Sequence, residues 1–249
     1  VAQKSRTVID PREAERRRSL LYKIGAVVVL VAVAAGVVIW AVSHNSDGPS
    51  TTGGSATPTV LGENGAITIT KAPKGTDPKV TVRLVEDFQC PGCGSFERTY
   101  RSTIDKLAEN PQVAIEYTPI AFLNSMSTTD YSSRAMNAST CVAESTAKDG
   151  DWTTWLKFHA LLFEKQPAEG GSGLPDSDLI SMAREAGADG ITECINNNQF
   201  GQWVTKTTQT VTSNPEFTGT PWVRINDQKF EVTGDPQALI QAVDAALAK

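Results

Sequence analysis

Asp87-Phe88-Gln89-Cys90-Pro91-Gly92-Cys93 is the stretch on which the reading of this chain turns. It joins an apolar strand pattern over Lys79 to Phe88, marked by Val80, Val82 and Leu84, to a helical pattern that begins beside Pro91. Two thiols so spaced at the first turn of a helix can close a small disulfide, and their placement makes them unequal. The sulfur of Cys90 stands at the helix start, facing unpaired amide N–H groups and the positive end of the helix dipole, which favour thiolate over thiol. Cys93 lies about one turn further in, so Cys90 is expected to be exposed and Cys93 shielded. Pro91 suits the first helical position, where its missing N–H removes no bond. A structural zinc site usually draws on two closely spaced ligand pairs; Cys141 and Cys194 stand far apart, and no metal is expected. Redox chemistry and a plain structural disulfide are the readings left.

Downstream, Phe96, Tyr100, Ile104 and Leu107 recur at helical spacing until Asn110-Pro111 stops them, and Val113, Ile115 and Tyr117 then alternate as a strand. Strand, helix, strand is a βαβ unit, whose two strands are expected to be parallel. From about 128 to 215 the periodicity is helical, with helices expected at Asp130 to Ala147, Asp151 to Lys165, Asp176 to Ala186, Asp189 to Cys194 and Gln199 to Val211. The aromatic stripes of this block, His159 among them, read as core. Trp222 to Ile225, a turn at Asn226-Asp227-Gln228, and Lys229 to Val232 make a hairpin. Asp235 and Pro236 then cap and start a terminal helix.

The chain has 249 residues, 40% hydrophobic and 20% charged, enough for one folded domain, but its first sixty do not look globular. Ile24 to Val42 carries no charge over about the length that spans a bilayer, and residues 24–43 are expected to form a transmembrane signal-anchor. Lys4, Arg6, Arg12, Arg16, Arg17, Arg18 and Lys23 outweigh Asp10, Glu13 and Glu15 in the preceding tail, which places residues 1–23 in the cytoplasm and the rest outside. A cleaved signal peptide, ending near Ala41-Val42-Ser43, is the rival reading. The Gly/Ser/Thr/Pro-rich residues 44–59 read as a flexible linker, and residues 60–249 as the folded domain. With the tail at +4 and the chain at −5, the remainder stands near −9, a poor surface for nucleic acid. An even cysteine count in an oxidising compartment suggests one exchangeable and one structural pair.

This order of elements resembles the DsbA family: a thioredoxin fold, α/β, interrupted after its first βαβ unit by an inserted α-helical domain. The Asp87-Phe88-Gln89-Cys90-Pro91-x-Cys93 signature carries the resemblance, with the insertion length and Thr218-Gly219-Thr220-Pro221 before a strand. The anchor and extra cysteine pair are similar to membrane-anchored DsbA-like proteins of actinobacteria, the mycobacterial type included. The resemblance implies a thiol:disulfide oxidoreductase with Cys90 as nucleophile, Cys93 as the buried resolving thiol, and Pro91 and Gly92 setting their poise. It implies a cis Pro221 beside the cysteines, with Thr220 offering its backbone to an extended substrate. No cofactor is implied beyond the Cys90–Cys93 disulfide. The implied partners are unfolded secreted or cell-wall proteins with free thiols, and a quinone-linked membrane reoxidase of the DsbB or VKOR-like type. Of the three pairings of four cysteines, Cys90–Cys93 with Cys141–Cys194 is the one compatible with the helix-start chemistry, and it makes the second pair structural.

Two positions depart from the family pattern. Many relatives carry a proton-relaying carboxylate six residues before the first cysteine, where this chain has Leu84; nearby Glu86 and Asp87 are expected to be solvated. Gly92 supplies no imidazole, so the Cys90 pKa is expected above the ~3.5 of DsbA and below the ~7 of thioredoxin. A reductase or isomerase of the same compartment, and a non-catalytic thioredoxin-like interaction module, are the rival functions.

Overall fold

The computed structural model describes residues 53–62 and 64–249. The basic tail, the expected membrane anchor at 24–43 and most of the expected linker lie outside the described residues. Among the described residues no helix is long and apolar enough to cross a membrane.

Five strands form one sheet: β1 (Ile67–Thr70), β2 (Val80–Glu86), β3 (Val113–Pro119), β4 (Trp222–Ile225) and β5 (Gln228–Phe230), in the order β1-β3-β2-β4-β5. β2 and β3 run parallel, pairing Val82 with Ile115 and Leu84 with Tyr117, and every other neighbouring pair is antiparallel. Parallel neighbours need a crossover, supplied by helix α1 (Pro91–Ala108), which packs on β3 through its Phe96, Tyr100 and Ile104 stripe. Val80, Val82, Leu84, Val113 and Ile115 are fully buried between the layers. The hairpin turn is tighter than the sequence pattern indicates. Asn226 adopts a left-handed φ of 53° and accepts a bond from Thr81 N–H, so pairing resumes at Gln228 and Val232 is left exposed beyond the strand.

Between β3 and β4 lie α2 (Tyr131–Thr146), α3 (Thr153–Glu164), α4 (Asp176–Ala186), the short α5 (Thr192–Asn196) and α6 (Gly201–Thr212). They pack around Tyr131, Trp155, Phe158 and Leu162, all fully buried. Gly187, at φ 106°, ends α4 in a conformation that other residues rarely adopt. α5 begins three residues later than its periodicity indicates, because Asp189 and Gly190 are spent on the turn after α4. The closing helix α7 (Pro236–Leu247) has Asp235 as its cap, accepting from Gln237 N–H at 2.9 Å, and it packs against α1 and β2.

The linker expected over residues 44–59 is corrected by the fold at its C-terminal end. Gly54 N–H donates to the Asn198 carbonyl at 2.8 Å, Gly54 accepts from Gln202 N–H at 3.2 Å, and Ala56 N–H reaches Gln199 O at 3.3 Å. Thr59 then donates through its hydroxyl and its N–H to Glu144 at 2.6 and 2.8 Å. Glycine is required here, since a Cβ on Gly53 would stand 2.5 Å from Gly201 Cα. Residues 53–59 are therefore a docked strap, held by backbone bonds that apolar periodicity does not signal and by the side chains of Glu144 and Gln202.

Candidate active site

The cysteine motif is held from three sides. At the end of β2, Asp87 accepts from Gln89 N–H (2.8 Å), the Ser132 hydroxyl (2.7 Å) and Leu123 N–H (2.7 Å), and Gln89 donates its amide to Met126 O at 2.8 Å. From beyond α3, Gln166 donates to both Phe88 O (3.0 Å) and Cys90 O (2.9 Å). Its amide sits where a Cβ on Gly94 would collide with it. Cys90 is the N-cap of α1 in extended conformation and Pro91 its first helical residue. The inserted helices thus fix the geometry of a motif that belongs to the sheet.

The third side is the loop before β4. The Thr220–Pro221 peptide is cis, and Cys90 Sγ lies 3.2 Å from the Thr220 carbonyl. A Cβ on Gly92 would stand 3.3 Å from Pro221 Cδ and 3.5 Å from Cys90 Sγ, so the absent side chain lets the two loops close on each other. Cys90, Pro91, Gly92, Cys93, Thr220 and Pro221 converge here. Cys141 and Cys194 do not: they form a disulfide with a Cα–Cα distance of 6.0 Å that ties α2 to α5 within the helical block.

Cys93 is wholly buried, whereas Cys90 is 7% exposed. The expectation of an exposed Cys90 is corrected: the residue is largely covered, with the Thr220 carbonyl 3.2 Å from its sulfur. Both cysteines are free thiols, and they differ in acidity. Cys90 is lowered to about 6, chiefly by a hydrogen bond from the Cys93 thiol and then by the Thr220 side chain and the Cys93 and Gly92 amides, against the opposing effect of burial. The helix-start amides contribute, but the neighbouring thiol leads. Cys93 is pushed well above 9 by burial, by its bond to Cys90 and by the charges of Glu86 and Cys90.

Glu86 and Asp87 are not solvated as the sequence suggests: they are 2% and 0% exposed. Burial raises Glu86 to about 8, and Asp87 to about 6 in spite of its three hydrogen bonds. Glu86 bonds His159 Nε2 at 3.1 Å, and His159 Nδ1 lies 3.9 Å from Glu97, which is itself buried and paired with Arg101. His159 sits among Phe88, Tyr117, Trp155 and Phe163, and burial lowers it to about 4. It is neutral at pH 7. One atom of each of Glu86, Glu97 and His159 falls within 4.8 Å of the others, a density that a cation would fit among the described residues. The charge argues for a proton instead: with Arg101 on Glu97, one proton brings the cluster to neutrality, whereas a divalent ion would leave it at +1 inside the core. The strand period that runs through Val82 and Leu84 carries on to Glu86, and Glu97 lies one helical turn beyond Cys93. Both were signals in the sequence.

An α/β fold interrupted by helices, with an acidic thiol at a helix start and a buried thiol behind it, defines a thiol:disulfide oxidoreductase. The thioredoxin family model matches residues 75–245, and the chain belongs to that family, as a DsbA-like member. It is similar to DsbA from Mycobacterium tuberculosis, 36% identical over 74% of this chain and 93% of that one with a TM-score of 0.64. DsbG from the same organism is also 36% identical, over 76% and 91% of the two chains, with a TM-score of 0.65. MdbA of Actinomyces oris shares the fold at 18% identity and a TM-score of 0.62, over 79% and 96%. The chain also aligns at 34% identity with the serine/threonine-protein kinase PknE of Mycobacterium tuberculosis, over 57% of its own length and 26% of the kinase. It thus spans about a quarter of the length of the curated relatives it matches.

Proposed function

We propose that this protein introduces disulfide bonds into secreted or cell-wall proteins outside the cytoplasm, held to the membrane by residues 24–43. The observation that carries the reading is the inequality of the two thiols, Cys90 lowered to about 6 and Cys93 raised well above 9. A thiolate that is stable in the reduced enzyme favours giving the disulfide away.

In the reaction a substrate thiolate attacks Cys90 Sγ of the Cys90–Cys93 disulfide. The new substrate–Cys90 bond forms as the Cys90–Cys93 bond breaks, and Cys93 leaves as a thiolate that takes up a proton. A second substrate thiolate then attacks the substrate sulfur of the mixed disulfide and expels Cys90 as a thiolate. The substrate has lost two electrons and the enzyme has gained them. Thr220 offers backbone groups for an extended segment, and the exposed Phe122 and Met126 lie on the loop whose Leu123 N–H and Met126 O bind Asp87 and Gln89. Such contacts suit unfolded chains of many sequences. A quinone-linked reoxidase of DsbB or VKOR-like type would withdraw the electrons, and confinement to one membrane would raise its effective concentration.

The test is to mix the oxidised protein with a reduced, unfolded secreted protein and count thiols. The expected result is stoichiometric loss of substrate thiols, abolished in Cys90→Ser. Persistence of the substrate thiols with the wild-type protein would refute the reading.

A further inference from the structure

Arg83 and Val85 of β2, Thr118 of β3, and Trp222 and Arg224 of β4 alternate with the buried Leu84, Tyr117 and Val223. They therefore lie on the sheet face turned away from the α1 core. There Val211 of α6 and Phe217 pack on Val85, Ile120 and Trp222 as a small separate cluster. Beside it is a cavity of about 340 Å³, lined by Asn64, Arg83, Thr210, Asn214, Trp222 and Arg224 among others. Asn64 and Thr210 also line a second cavity, of about 450 Å³, whose other walls include Ser55 and Thr57 of the docked strap and Trp203 and Lys206. From Gln202 to Val211 the two cavities adjoin along about 14 Å of α6.

We propose that this groove binds a neutral N-acetylated saccharide, with an acetamido carbonyl against Trp222 and Arg224 in the inner cavity and a sugar ring against Trp203 in the outer one. Trp222 and Arg224 are 5% and 7% exposed, and Trp222 Nε1 and Arg224 Nε have no acceptor among the described residues. A buried N–H left unpaired is costly, so two in one cavity wall call for a ligand oxygen. The neighbouring amides are biased the same way. Asn64 Oδ1 already accepts from Ala66 N–H at 3.1 Å, and Asn214 Oδ1 from Glu216 N–H at 2.9 Å, which leaves each an NH2 to donate.

The pairing of the two arginines sets the ligand's charge. Arg83 Nε meets Glu116 at 2.9 Å and Arg224 Nη1 meets Glu216 at 2.6 Å, so the inner cavity is already balanced and its free donors suit an uncharged acceptor. An amide carbonyl is such an acceptor. Strand topology disfavours a peptide: β3, β2 and β4 are each paired on both sides, and no backbone ladder is open to an extended chain in the groove. The outer cavity adds the hydroxyls of Ser55, Thr57 and Thr207 and the half-buried indole of Trp203, which match the polar edge and C–H face of a sugar ring. Gly65, at φ 76°, lets the chain close on that indole, since a Cβ there would stand 3.2 Å from the Trp203 ring.

The site is separate from the thiols, and its test does not depend on their exchange. The isotopically labelled full chain is titrated with triacetylchitotriose while the indole N–H signals of its tryptophans are followed by NMR. Trp203 and Trp222 should shift along one saturating curve, with Trp152 and Trp155 unmoved. Trp203→Ala should weaken binding at least about tenfold, as loss of an aromatic anchor does. Thr210→Phe, at an exposed position shared by both cavities, should abolish binding at an unchanged melting temperature, and it serves as the test if Trp203→Ala does not fold. Lys206→Gln, which removes a charge but keeps a donor, should leave the affinity unchanged. Unmoved Trp203 and Trp222 signals, or binding that survives Thr210→Phe, would overturn the site. Binding of an acetyl- and amide-capped alanine peptide as tight as that of the sugar, or a tenfold loss in Lys206→Gln, would overturn the neutral saccharide as its ligand.

Discussion

Replacing Cys93 by Ala should raise the pKa of Cys90, because the hydrogen bond from the Cys93 thiol is the largest of the effects that lower it. A hydrogen bond to a charged group contributes roughly 1.5–3 kcal/mol, which corresponds to about 1–2 pK units. The Thr220 side-chain bond and the amides of Gly92 and residue 93 survive the substitution, so Cys90 should move from about 6 to between about 7 and 8. At pH 7 the thiolate fraction would fall from about nine-tenths to between about half and one-tenth. Thiolate absorbance and the pH dependence of alkylation both read this directly. A Cys90 that still titrates at about 6 in Cys93→Ala would show that the helix-start amides alone hold the charge, and would refute the reasoning.

The remaining predictions concern protons and the second disulfide. Below about pH 6 reduction of the protein takes up two protons, and above it only Cys93 takes one, so the potential should change by about 59 mV per pH unit below the break and about 30 mV above. A single slope from pH 5 to 8 would contradict the split between the thiols. Glu86 is raised from 4.5 to about 8, so the folded state binds a proton that the unfolded state has released; its contribution is full below about pH 4.5 and is lost as pH rises through about 8. Glu86→Gln should therefore show a smaller fall in melting temperature between pH 5 and 8 than the wild type, and an equal fall would remove Glu86 from the cause. Cys141→Ser opens a disulfide closed across a separation of 53 residues, which the chain-entropy relation puts at about 4 kcal/mol. Its melting temperature should drop while thiol exchange at Cys90 persists, and a variant that is thermally normal but inactive would assign that pair a redox role.

The redox centre was legible because its two signals are local. An apolar alternation that stops at Glu86 and a Cys-Pro-Gly-Cys that opens a helix place the thiols on a strand–helix junction. Thr220-Pro221 gained meaning from its place in the order of elements. The groups that support the site were harder to see. Glu86 and Asp87 stand at the end of a hydrophobic strand and look solvated; Glu86 keeps the strand's inward period, but the helices of the insertion that cover both come from far along the chain. His159 fits an aromatic helix face whether or not it meets a carboxylate. Gln166 and Ser132, which pin the motif, are polar residues of an ordinary kind whose task is set by tertiary placement. The strap at residues 53–59 has no sequence signal, because its backbone bonds to Asn198, Gln199 and Gln202 depend little on side-chain identity.

Equilibrating the protein with glutathione redox buffers at pH 7, and following thiols at Cys90 and Cys93, gives the reduction potential of the pair. The account predicts a value well on the oxidising side of thioredoxin's approximately −270 mV, towards the approximately −120 mV of DsbA. A potential at or below about −270 mV would make this protein a reductant and contradict the account.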